Sequence, residues 1–126
     1  METLHDLLRR GGGFGHREHL ELAWLYLERH PPAEAEGAME AALRWVAERH
    51  GAPERYHDTL TRAWVRLVSV HRTRHPAASF DAFIGANAGL LDRRLLDGHY
   101  SADRLAGEAA RRGWIAPDVR PLPVVA

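Results

Sequence analysis

Apolar positions along the chain recur at helical spacing almost throughout, and no segment shows the alternation of a strand. Thr3 stands as a cap for a first helix from Leu4 to Arg10, which Gly11-Gly12-Gly13 stops. A second helix is predicted from Gly15 or His16 to Arg29, halted by His30-Pro31-Pro32. The third spans Ala33 to His50, with Gly51 just past its end. Pro53 suits the first turn of the longest helix, which runs to Arg74 ahead of Pro76. Ser79 caps a shorter helix to Asn87, Leu90 to Leu96 forms another, and Ser101 caps a last one from Ala102 to Arg112. The tail from Trp114 to Ala126 contains three prolines and reads as extended.

These elements describe an all-α protein, a compact single-domain helical bundle of about five to seven helices. Residues 1–13 supply an N-terminal helix and a glycine hinge, 14–113 the bundle core and 114–126 the tail. A length of 126 residues suits one domain of this kind.

Composition narrows the function. With 17 basic and 17 acidic residues the formal net charge is zero, which argues against nucleic acid or an anionic membrane surface as partner. There is no Cys, so disulfides and thiolate ligands are excluded, and no Lys, so Schiff-base chemistry is too. An Ala-, Arg- and Gly-rich chain without Lys or Gln suggests a G+C-rich bacterial source. No run is apolar enough to span a membrane, and the first ten residues lack a signal peptide's apolar segment; the expected compartment is the cytoplasm.

The outlier is histidine, nine in 126 residues. On the second helix His16 and His19 share the stripe that carries Leu20, Ala23, Trp24 and Leu27 toward a core. On the long helix the corresponding stripe is His57, Leu60, Thr61, Trp64, Leu67, Val68 and His71. Helices in up-down-up order place the starts of the second and fourth at one end of the bundle, so His16, His19 and His57 can meet. His71 lies ~21 Å further along its helix and cannot join them. Three imidazoles suit Zn²⁺ or another divalent transition metal, and with no Cys any metal must be held by nitrogen and oxygen. An open coordination position would let the metal activate water or polarise a carbonyl, with Tyr56, Asp58 or Tyr100 moving protons. Thr59, Thr61 and Asp58 are placed to orient the imidazoles, and Trp24 and Trp64 to pack around the site as core anchors. Histidines hydrogen-bonded in the core, or a metal-free acid–base site, are the alternative readings. His30 and His50 end helices and read as caps, His71 and His75 as a solvated terminus, and His99 sits in a loop.

Phe14-Gly15-His16-Arg17-Glu18-His19-Leu20 and Tyr56-His57-Asp58-Thr59-Leu60-Thr61 with Trp64 carry the patterns F-x-H-x-x-H-L and Y-H-x-T-x-T-x-x-W. With Tyr100-Ser101 and Pro117-Asp118, they resemble a family of small, uncharacterised bacterial all-α proteins over residues 14–123. The resemblance implies no particular activity. It does imply that Tyr56, Thr61, Tyr100 and Ser101 lie near the site.

The expectation is therefore a zinc-dependent hydrolase or lyase acting on a small molecule, in a chain that could also form homo-oligomers. The alternative is a non-catalytic module that docks a partner protein.

Overall fold

The computed structural model describes residues 1–124 and contains seven α-helices, with no strand among the described residues. They are α1 Glu2–Arg9, α2 His16–Arg29, α3 Pro32–Arg49, α4 Asp58–Arg74, α5 Phe80–Ala86, α6 Ala102–Ala106 and α7 Glu108–Arg112. Short 3-10 turns occupy Pro53–Arg55, Ala88–Leu91 and Leu95–Gly98.

Local chemistry sets most boundaries. At the start of α2 the Glu18 carboxylate accepts the Gly15 N–H at 2.8 Å, satisfying one of the donors a helix start leaves free. Pro32 opens α3, and Gly51 follows its end at φ +70°, a conformation that favours glycine. Ser79 and Ser101 cap α5 and α6 as expected. Several elements differ from the sequence reading, and the helix expected from Leu90 to Leu96 is instead two 3-10 turns, Ala88–Leu91 and Leu95–Gly98. Thr3 lies inside α1 rather than capping it, and its hydroxyl accepts from Arg29 at 3.2 Å. The predicted long helix from Pro53 breaks: a 3-10 turn ends at Arg55, Tyr56 and His57 are extended, and α4 starts at Asp58. Gly107 likewise divides the last predicted helix into α6 and α7.

Helices α2, α3 and α4 pack against one another and form the core. Helix α4 is central: Thr59, Ala63, Val65, Leu67 and Val68 are buried on more than one of its faces. Leu20 and Leu22 of α2, Met39 of α3 and Phe83 of α5 close around it. Truncating a buried Leu here should cost ~2–5 kcal/mol.

A second cluster joins α2 to α5, where Trp24 packs against Phe80 and Phe83, with ring centroids 6.3 Å apart in each case. The Trp24 indole N–H is buried with no hydrogen-bond partner among the described residues. An orphaned donor of this kind costs ~1–3 kcal/mol, which offsets most of the packing that a smaller ring would lose. Trp24→Phe is therefore expected to change the free energy of unfolding by less than ~1 kcal/mol in urea titrations, against ~3–5 kcal/mol for Phe83→Ala.

Between α3 and α4 lies a polar network with no precedent in the sequence reading. Arg62 donates to Asp58 at 2.9 Å and to Glu36 at 3.4 Å, and also reaches Glu40. Arg66 donates to Glu36 at 3.1 Å while its guanidinium lies 3.7 Å from the Trp114 ring centroid. From Trp114 to Val124 the tail is non-helical and strapped down, and Val125 and Ala126 lie outside the described residues. The Thr59 hydroxyl donates to the Gly113 carbonyl and accepts the Ile115 N–H, and Tyr100 donates to the Ile115 carbonyl at 2.7 Å. Ser101 donates twice to Asp118, at 2.8 Å from its N–H and 2.6 Å from its hydroxyl.

Candidate functional site

The N-terminal end of α2, the C-terminal half of α3 and the start of α4 meet around a cavity of about 480 Å³. That volume falls in the range of small-molecule pockets. Met39, Leu43 and Val46 of α3 face it along one helical stripe, with His50 at the helix end. Leu60 and Trp64 of α4 and Phe14 ahead of α2 supply the rest of the apolar wall. The polar groups on the cavity are His19, His50, Arg55, Tyr56, His57 and Thr61.

His57 is the N-cap of α4, not a member of its inward stripe. Its Nδ1 accepts the Leu60 N–H at 3.1 Å, and its Nε2–H donates to the Leu105 carbonyl at 2.8 Å. Both nitrogens are thereby engaged and the tautomer is set. His16 donates from Nε2 to the Leu90 carbonyl at 2.9 Å and packs edge-on against Trp64, with centroids 4.5 Å apart. It is not among the cavity-lining residues. His50 donates from Nδ1 to Val46 O at 2.8 Å, the carbonyl cap expected of a helix-end histidine.

His19 differs. Its ring meets Phe14 edge-on at 4.7 Å and has no hydrogen-bond partner among the described residues. Burial in the apolar wall pushes its pKa down to about 4. The nearby His16 and Arg93 act in the same direction, and Glu18 opposes them. At neutral pH the ring is uncharged and keeps one donor and one acceptor for whatever enters the cavity.

The structure thus brings His19, His57, Tyr56, Thr61 and Trp64 to one cavity and leaves the other candidates elsewhere. The three-imidazole arrangement expected from the helix stripes is not formed. Among the described residues no group of three His, Asp or Glu side chains stands close enough to hold a metal ion. The reason lies in the chain break at Tyr56-His57, which turns the His57 ring back onto its own helix start.

The proposed proton carriers are also committed. Tyr56 donates to the Asp58 carboxylate at 2.6 Å, and burial together with that carboxylate pushes its phenol well above the ordinary tyrosine range. The second Asp58 oxygen is taken by Arg62. Tyr100 and Ser101 anchor the tail, and burial raises the Tyr100 phenol as well. Trp24 belongs to the α2–α5 aromatic cluster. Thr61 donates to the His57 carbonyl at 2.8 Å, which stiffens the first turn of α4.

The cavity residues missed by sequence reasoning are Met39, Leu43, Val46, His50 and Arg55, while Phe14 and Leu60 stood in its motif and its stripe. The spacing of Met39, Leu43, Val46 and His50 at i, i+4, i+7 and i+11 carries the signal, since it marks a stripe that ends on a histidine. The Gly11–Gly13 segment precedes Phe14 with all three glycines at positive φ, between +78° and +86°. No known protein family, curated protein or solved structure matches the chain.

Proposed function

We propose that this chain binds a small, largely apolar molecule in the cavity between α2, α3 and α4, with His19 as the polar contact. The observation that carries this reading is His19 itself, the cavity histidine with no hydrogen-bond partner among the described residues, set in an apolar wall. His19 is half-buried, and its ring nitrogens are exposed to the cavity rather than sealed in the packed interior. An imidazole open toward an apolar-walled cavity offers a donor and an acceptor to a ligand group. The lowered pKa favours binding over acid–base chemistry, because a base near pKa 4 has little drive to take a proton at neutral pH. Zinc held by His16, His19 and His57 would require His57 to release Leu60 or Leu105, and a rearrangement of His16 as well. That cost favours the metal-free reading.

The test uses the neutral fluorescent probe N-phenyl-1-naphthylamine. Saturable binding with an emission blue-shift is expected, together with quenching of Trp64. Leu43→Trp, which fills the cavity, should weaken binding at least about tenfold while leaving the circular dichroism spectrum unchanged. Equal binding by the filled variant would overturn the cavity reading. Stoichiometric zinc in untagged protein, lost in both His16→Ala and His57→Ala, would replace it with the metal centre.

A further inference from the structure

A second concavity adjoins the cavity. It is an open cleft of about 950 Å³ between the Pro53–Arg55 turn, α7 and Arg44 of α3. Arg55 and Tyr56 line both spaces, so the apolar cavity and the cleft share a wall. The cleft presents Arg44, Arg55, Arg111 and Arg112 against only Glu54 and Glu108. In a chain whose formal charge is zero, this is a local excess of cations.

The four guanidiniums are not equivalent. Arg44 donates to Glu40 at 2.9 Å and lies over the Tyr56 ring at 4.2 Å from its centroid, while Arg112 pairs with Glu108 at 3.2 Å. Among the described residues Arg55 and Arg111 have no carboxylate partner; Arg111 makes a single 3.3 Å contact, to the Glu54 carbonyl.

We infer that the ligand is an amphipathic anion: a largely apolar body in the cavity, where His19 meets its polar group, and a carboxylate head in the cleft, held by Arg55 and Arg111. This rests on the cavity reading above and adds the head group to it. Guanidinium forks match a carboxylate in a planar, two-bonded geometry. A singly charged head fits better than a doubly charged phosphate, because Glu54 and Glu108 stand in the same cleft and would repel the extra charge. The apolar body lies against Leu43, Val46 and Trp64, and the head group reaches the cleft beside Arg55, which lines both spaces.

Competition against N-phenyl-1-naphthylamine tests the inference, with octanoate, octanol, acetate and octyl phosphate as competitors. Octanoate is expected to displace the probe at a concentration roughly tenfold to a hundredfold below octanol, the range for a charge-assisted contact. Arg111→Ala, an exposed position that lines the cleft and not the cavity, should reduce that advantage and leave octanol unchanged, and the double variant Arg55→Ala/Arg111→Ala should remove the advantage. If octanol competes as well as octanoate, the head group is overturned and the cavity stands. If the probe itself does not bind, the cavity reading fails first. Acetate matching octanoate would separate the cleft from the cavity and overturn the link. Octyl phosphate binding tighter than octanoate would overturn the choice of carboxylate, and an unaffected double variant would overturn the role of the two arginines.

Discussion

Acidification from about pH 7 to pH 5 should remove roughly 2 kcal/mol of stability through His19 alone. The sign follows from which state binds the proton. The unfolded chain holds His19 at the ordinary histidine value near 6.5, whereas in the fold burial lowers it to about 4. Between those values the unfolded state is protonated and the folded state is not, so falling pH favours unfolding. The loss begins below about pH 6.5 and is complete below about pH 4, at a limiting slope of ~1.4 kcal/mol per pH unit. Urea denaturation of the wild type and of His19→Phe at the two pH values isolates this term. The variant cannot titrate there and fills part of the apolar wall, so its stability should fall by less than the wild type's, by about the same 2 kcal/mol. Identical pH slopes for the two proteins would show that the imidazole is open to water and not held neutral by burial. A ligand that accepts from or donates to the neutral ring should protect the wild type at pH 5 and add nothing to His19→Phe beyond its apolar contacts.

The helices were legible because they rest on local chemistry: the caps at Ser79 and Ser101, the breaks at Pro31-Pro32 and Gly51, and the repeating apolar face of α2. The histidine cluster was legible only to the level of the bundle end. Helix faces place His19 and His57 at the same end, and both do line one cavity. What spacing does not encode is which way a ring turns once it arrives. The fate of His57 depends on two partners, the Leu60 N–H three residues on and the Leu105 carbonyl 48 residues on. The second of these is set by the path of α6, which no local pattern specifies. The network of Arg62 and Arg66 with Glu36, Glu40 and Asp58 was hidden for a related reason. Its charges lie on two helices well separated in sequence, and only the close packing of α3 on α4 brings them together. Tyr100, Ser101 and Asp118 show the converse case. Their pattern pointed to one neighbourhood, and they do share one, but it is the anchorage of the tail and not the cavity.

His57→Ala is expected to damage the fold through hydrogen bonds rather than through lost apolar packing at the cavity. It removes an N-cap, worth ~1 kcal/mol, and leaves the Leu105 carbonyl without its donor, a further ~1–3 kcal/mol. Together these predict a loss of roughly 2–4 kcal/mol in chemical denaturation. His57→Asn separates the two contributions. Asn is a favoured N-cap, so its side chain can take the Leu60 N–H, but it is too short to reach Leu105; about 1 kcal/mol of the loss should return. The same pair of variants distinguishes a structural His57 from a metal ligand. If His57 acts through these two hydrogen bonds, the difference between wild type and His57→Ala is the same with and without a chelator. If His57 held a metal that stabilises the fold, the chelator would lower the wild type to the level of the variant and abolish the difference. A chelator-independent gap with partial rescue by Asn therefore assigns His57 to the frame of the cavity, and leaves His19 as the imidazole available to a ligand.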